Sequence, residues 1–261
     1  MKTIIKTIML LWLFVIFPVL SADPSSGPNN VYLEQVGNSN TVTIEQVGGT
    51  NNIGGVTSTK SIDQDHITTL TINNPSSLNY ATITGNSNAV TITQHGLIDW
   101  ATYNIYGDHN NYLSAITGNS NKTKLTVGDP NNPTTASSYN NITENVTGNS
   151  NLIIQNLIGN YITSGINITG SSNQITQQLL SSSGTSNIDI NGNSNVLFTE
   201  QTDAGVHTLT LNIIGGFNSI TTQQQGNNNT DVNLTITGTN NTTTIRTSST
   251  TIVNPMTAVA R

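Results

Sequence analysis

The chain has 261 residues, a formal net charge of −6, 34% hydrophobic residues, 5% aromatics and no cysteine. The missing cysteine excludes a disulfide framework and a lipobox-type lipid anchor, and seven basic residues against thirteen acidic ones disfavour a nucleic-acid backbone binder, which needs clustered Lys and Arg. With only 8% charged residues and an abundance of Asn, Thr, Ser and Gly, the choice lies between disorder and a repetitive fold, and periodicity decides it.

Residues 1–22 read as a secretory signal peptide. Lys2 and Lys6 precede an apolar run from about Thr7 to Leu20, and small residues Ser21 and Ala22 follow. Without them, five basic residues stand against thirteen acidic ones, a net charge near −8. Residues 23–30, Asp-Pro-Ser-Ser-Gly-Pro-Asn-Asn, form a flexible leader.

From Val31 the chain repeats itself. Leu33-Glu34-Gln35-Val36-Gly37 returns as Ile44-Glu45-Gln46-Val47-Gly48. A Gly followed three residues later by Asn marks the repeat along the chain. The pairs are Gly37/Asn40, Gly85/Asn88, Gly107/Asn110, Gly128/Asn131, Gly148/Asn151, Gly170/Asn173, Gly192/Asn195, Gly215/Asn218 and Gly238/Asn241. After a first gap of 48, the spacings are 20 to 23. The gap is expected to hold two units and a small insertion in the Gly54–Asp65 region. Residues 31–249 are thus one domain of about ten units of about 22 residues, with a C-terminal tail at 250–261.

Within each unit, apolar and polar residues alternate: Val42/Ile44 and Val90/Ile92 after the asparagine, Leu209/Leu211/Ile213 and Leu234/Ile236 before the glycine. Period two with Ile, Val and Thr argues for half-buried strands, and the "GNSN" tetrapeptides at 37, 85, 118, 148 and 192 for the turns between them. One strand–turn–strand coil cannot bury its thin interior alone. Stacked coils can, since backbones about 4.8 Å apart pair and each coil covers the next. The fold expected is all-β, a β-solenoid with two strands per coil, whose nine turn asparagines stack in a single ladder of amides. The same parity places Gln46, Gln94, Gln201 and Gln224 inside, each six residues after a ladder asparagine. A buried amide needs a partner, which in-register stacking supplies. Half-solvated strand ends are the alternative for these glutamines.

Gln35-x-Gly37-x-x-Asn40-x-Val42-x-x-x-Gln46 resembles the curlin repeat, the unit of bacterial curli fibres. Elsewhere the first glutamine becomes an aliphatic residue such as Ile83, Ile105 or Val146, and the second survives as Gln94, Gln201 and Gln224. The resemblance runs from Val31 to about Ser248. It implies an exported subunit that polymerises with itself into cross-β fibres for adhesion and biofilm matrix. It also implies an outer-membrane export channel and a nucleator subunit as partners. Gln35, Asn40 and Gln46 are the first assembly candidates. The two ends of the solenoid carry little to block further growth, Arg246, Pro255 and Arg261 being the C-terminal candidates.

Three rivals stand beside the fibre. A monomeric ice-binding solenoid needs Thr-x-Thr pairs gathered on one face. The pairs Thr41/Thr43, Thr69/Thr71, Thr82/Thr84, Thr91/Thr93, Thr208/Thr210 and Thr235/Thr237 divide between two faces by half-unit count. A cell-surface adhesin shaft is the second. An enzyme is the third, and it is disfavoured. The carboxylates are scattered singly, the cluster Asp63-Gln64-Asp65-His66 reads as a solvated loop, and His95, His109 and His207 lack metal-ligand spacing. No cofactor or metal is expected.

Overall fold

A computed structural model describes residues 33–46, 53, 57–63, 66–73, 81–129, 137–180, 183–202, 207–215, 218–225, 230–238, 242–248 and 256–259. The signal peptide and leader lie outside them. Alternation sets the architecture. An extended strand points alternate side chains to opposite faces, so a run such as Ile142-x-Glu144-x-Val146 turns one set of side chains inward, where all three are buried.

Two parallel sheets of nine strands face one another across this interior. Sheet A takes β1 (Leu33–Val36), β5 (Ala81–Thr84), β7 (Trp100–Tyr106), β9 (Lys122–Val127), β11 (Leu152–Ile158), β13 (Gln174–Leu180), β15 (Val196–Thr202), β17 (Ser219–Gln225) and β19 (Thr242–Ser248). Sheet B takes β2 (Thr41–Gln46), β6 (Ala89–Gln94), β8 (Asn111–Thr117), β10 (Asn141–Thr147), β12 (Thr163–Thr169), β14 (Thr185–Ile190), β16 (His207–Ile213), β18 (Thr230–Thr237) and β20 (Met256–Val259). The chain visits the sheets in turn. Each A strand and the B strand after it make one coil, and the nine coils span roughly 40 Å at ~4.8 Å per step. This is the two-strands-per-coil β-solenoid expected.

The repeat count differs, for two reasons. The 48-residue gap holds one coil and a separate antiparallel hairpin, β3 (Thr57–Asp63) with β4 (His66–Asn73), so the coils number nine and not ten. The tail set at 250–261 contributes β20, which pairs with β18 over Leu234–Thr237. A second insertion lies between β9 and β10. Successive turn asparagines are 30 residues apart across it, Asn121 to Asn151, against 22 from Asn151 to Asn173, so it adds eight.

Inward aliphatic residues form one continuous core from Ile53 to Ile236, with Ile83, Ile92, Ile153, Ile166 and Ile213 fully buried. Burying each such side chain contributes ~1.5–3 kcal/mol, and most of that burial exists only because a coil lies on either side.

Candidate functional site

The corner between an A strand and its following B strand is a four-residue turn. At Gly37-Asn38-Ser39-Asn40 the glycine has φ 123° and Ser39 has φ 59°. Glycine is required there on two counts: the backbone is left-handed, and a Cβ on Gly37 would lie 1.9 Å from the carbonyl oxygen of Gly85 in the next coil. The same turn closes the opposite corner, from B back to A, at Gly148-Asn149-Ser150-Asn151.

The fourth turn residue aims its amide along the rod, and the result is two ladders in place of the single one expected. The first corner stacks Asn40, Asn88, Asn110 and Asn140, with Nδ2 to Oδ1 distances of 3.2, 3.1 and 3.0 Å. The second stacks Asp99, Asn121, Asn151, Asn173, Asn195 and Asn218, linked at 2.9–3.2 Å. In both, each Oδ1 accepts from the coil that follows it in the chain. The remaining amide hydrogen goes to the stacked glycine: Asn88 Nδ2 donates to Gly107 O at 2.7 Å and Asn151 Nδ2 to Gly170 O at 2.9 Å. Buried amides are thereby satisfied, each bond contributing ~1 kcal/mol net.

The eight-residue insertion explains why the sequence suggests one ladder. Gly128 and Asn131 imitate a turn, but Gly128 closes β9 with φ 82°, and Asn131 lies outside the described residues, as does Asn241. The corner itself is Ser137-Ser138-Tyr139-Asn140, which has no glycine. Gly37, Gly85 and Gly107 therefore mark the first corner, while Gly148, Gly170, Gly192, Gly215 and Gly238 mark the second. Asn140 is a ladder member with no glycine three residues before it, and Asn121, which does follow Gly118 at that spacing, is a ladder member outside the nine pairs. Asn121 was available as the last residue of the "GNSN" at 118.

The glutamines Gln46, Gln94, Gln201 and Gln224 are all buried, and they form two short stacks. Gln94 Nε2 donates to Gln46 Oε1 at 2.9 Å in sheet B, and Gln201 Nε2 donates to Gln224 Oε1 in sheet A. Gln35 is half-buried beside Ile83. A third amide pair went unnoticed in the sequence. Gln155 Nε2 donates to Gln177 Oε1 at 2.9 Å, and Ser164 and Ser186 of sheet B bond to the pair across the core. Nearby, Glu144 is fully buried with the Tyr112 hydroxyl donating to its carboxylate at 3.3 Å. Desolvation outweighs that bond and raises the Glu144 pKa to about 8, so the carboxyl is protonated at neutral pH. Burial likewise raises Asp99, the first member of the second ladder, to about 6.

Three outer features complete the surface. His109, Tyr139 and Tyr161 occupy the left-handed turn position of successive coils, and their rings stack at 4.8 and 5.3 Å. Lys122 Nζ sits 4.4 Å from the Trp100 ring centroid on sheet A. The threonine pairs do not divide as the half-unit count suggests: 41/43, 91/93, 208/210 and 235/237 all stand on sheet B strands, 82/84 stands on sheet A and 69/71 in the hairpin. The insertion shifts the phase of the count, which is why it assigned them to two faces. The face is interrupted by Leu113, Gly165 and Asp189. His95 lies 3.6 Å from Glu45 as an exposed pair of small energetic weight, and the described residues contain no group of three His, Cys, Asp or Glu side chains placed to hold a metal. The Asp63–His66 segment falls at the hairpin tip, partly outside the described residues.

Comparison with known family models, characterised proteins and solved structures found no match, so the function of this rod is read from its own residues.

Proposed function

We propose that the chain is an exported, curlin-like subunit that polymerises end to end into extracellular amyloid-type fibres for adhesion or biofilm matrix. The observation that carries this reading is that, among the described residues, both ends of the rod present open strand edges. Among the described residues, β1 and β2 at one end and β19 and β20 at the other each pair on one side only. Unpaired strand edges are templates for another chain. The ladders have matching polarity. Along each ladder every linking amide donates to the Oδ1 of the coil before it, as Asn88 does to Asn40 and Asn218 to Asn195, so the rod has a direction and its two ends differ. Charge agrees, with Glu34 and Glu45 on the first coil and Arg246 on the last. An end that differs from its opposite generates an open filament and not a closed dimer.

The curlin-like pattern from Gln35 to Gln46 and the signal-peptide order of residues 1–22 support export and polymerisation together. An outer-membrane channel and a nucleator belong to the same reading. The test is dilution of the chain without residues 1–22 from denaturant, followed by negative-stain microscopy and thioflavin fluorescence. Unbranched filaments with a thioflavin signal are expected, and a stable population of single rods roughly 40 Å long overturns the reading.

A second reading has its own observation. The four threonine pairs gathered on sheet B suit a monomeric rod whose flat hydroxyl face orders water, as an ice-binding solenoid does. Thermal hysteresis in monomeric protein is its readout, and its absence removes it.

A further inference from the structure

We propose that Tyr139 and Tyr161 form an oxidative cross-linking site, at which a peroxide-driven one-electron oxidant joins their rings as an intrachain dityrosine. The bond lies within one chain, so it forms whether or not the rods polymerise.

Backbone conformation sets these two residues apart. The third residue of the corner turns lies in the left-handed region, and serine fills that position at 39, 87, 120, 150, 172, 183 and 194. A small residue suits it, because a bulky L side chain crowds its own backbone there. Tyr139 and Tyr161 occupy it nonetheless, at φ 61° and 60°, in two successive coils. The core does not ask for either ring: they are 51% and 63% exposed and stand outside the apolar interior between the sheets. Strained backbone kept for an exposed side chain points to a use for that side chain.

Register makes the two a pair. The Tyr161 N–H donates to Ser138 O at 3.1 Å and the Ser138 N–H to Asn160 Oδ1 at 2.7 Å, which fixes one turn above the other. The rings stack with centroids 5.3 Å apart, 7° from parallel. On either side the stack ends without another phenol. Before Tyr139 comes His109, whose ring lies at 4.8 Å, and after Tyr161 comes Ser183, whose N–H bonds to Asn160 O. Coupling therefore stops at one bond. Tyr103 and Tyr112 also approach one another, at 6.3 Å, but they are tilted by 50° and fully buried, out of an oxidant's reach.

The chemistry balances on these two side chains and one peroxide. Each phenol gives up one electron and its hydroxyl proton, leaving a phenoxyl radical whose unpaired electron is shared between the oxygen and the Cε carbons beside it. A Cε of one ring bonds to a Cε of the other, and the hydrogen on each joined carbon moves to oxygen, which restores both phenols. The chain loses two hydrogen atoms in all. Hydrogen peroxide takes up the two electrons and two protons and becomes two waters, with a haem peroxidase as the one-electron carrier. Two radicals must meet in order to couple. A pair held on neighbouring coils replaces that diffusional encounter with a small tilt of two solvent-exposed rings. The product staples the corner Ser137–Asn140, which has no glycine, to the coil after it.

The test treats the purified chain, freshly diluted and monomeric, with a haem peroxidase and hydrogen peroxide. The product is then unfolded and digested with a protease that cuts after glutamate. Tyr139 lies before Glu144, and Tyr161 is the only tyrosine between Glu144 and Glu200, so the digest parts the two in an unlinked chain. The expected result is a linked Tyr139–Tyr161 peptide, two hydrogen atoms lighter than its two parts and with dityrosine fluorescence, from chains that run as monomers on a denaturing gel. Tyr139→Phe and Tyr161→Phe keep a ring in the stack and remove the phenol. Each should lower the intrachain product by at least about tenfold, with the circular dichroism spectrum of the parent. Intrachain product that persists in either variant, linkage of Tyr161 to a different tyrosine, or coupling only between chains overturns the proposal. So does a chain that stays unlinked while the peroxidase consumes peroxide and couples free tyrosine in the same solution.

Discussion

The ends and the middle of this rod fill the same inward positions with different chemistry. In sheet B the last inward position is Gln46 and Gln94 in the first two coils, then Ile116, Val146, Ile168, Ile190 and Ile213. In sheet A it is aliphatic from Ile83 to Leu179, then Gln201 and Gln224. An isoleucine is indifferent to what lies above it, provided that water is excluded. A glutamine needs a partner of matching polarity and register. The middle therefore supplies stability from within one chain, and in the proposed fibre the ends supply specificity for the next chain. The middle has polar groups too, Glu144 and the Gln155–Gln177 pair among them. Their partners Tyr112, Ser164 and Ser186 come from the same chain.

Breaking the middle gives the largest effect. Ile166→Asp places a carboxylate at a fully buried core position, and we expect a loss of more than about 4 kcal/mol and no cooperative β-sheet unfolding transition by circular dichroism.

The buried carboxyl sharpens the comparison through pH. Between its ordinary value of 4.5 and its folded value of about 8, Glu144 is protonated in the folded chain and ionised in the unfolded one. The folded state holds the extra proton, so this stability is fully present below pH 4.5 and is lost as pH rises through about 8. The whole shift corresponds to roughly 5 kcal/mol. Urea midpoints should fall from pH 5 to pH 9, and Glu144→Gln should flatten that slope. An unchanged slope in the variant contradicts the assignment.

A single ladder amide comes next. Asn173→Ala leaves the Asn195 backbone N–H and side-chain amide without their acceptor, and also strips a donor from Gly192 O. A destabilisation of about 1–3 kcal/mol is expected by urea unfolding of the monomer. The smallest effect on the monomer belongs to the end. Asn40→Ala orphans the matching groups, the Asn88 N–H and side-chain amide and Gly85 O, but at a half-buried position that water reaches and with no bond to a preceding coil to lose, so about 1 kcal/mol is expected. The same change should slow seeded filament elongation far more than Asn173→Ala does.

What the sequence conveyed follows from what period two can and cannot carry. Val90/Ile92 and Leu209/Leu211/Ile213 announce strands because alternation is a property of the strand alone. Phase is another matter, since it depends on counting turns. Gly128/Asn131 has the residue types of a turn without being the corner, and Ser137–Asn140 is the corner without its glycine. The β3–β4 hairpin carries the same Ile and Thr as the coils, yet its strands pair with each other, a choice that local composition does not encode. Glu144 and Gln155 were legible in principle. Each sits at inward parity, between Ile142 and Val146 and between Ile153 and Leu157, and parity outranks residue type in a solenoid.

The central claim is that coils stack across chain boundaries as they stack within a chain. X-ray diffraction from an aligned, hydrated bundle of the assembled chain tests it most directly. The account predicts a sharp reflection at about 4.7–4.8 Å along the fibre axis and a diffuse one near 10 Å perpendicular to it. A preparation that stays monomeric in sedimentation, or fibres whose 4.7–4.8 Å spacing lies across the axis, contradicts it.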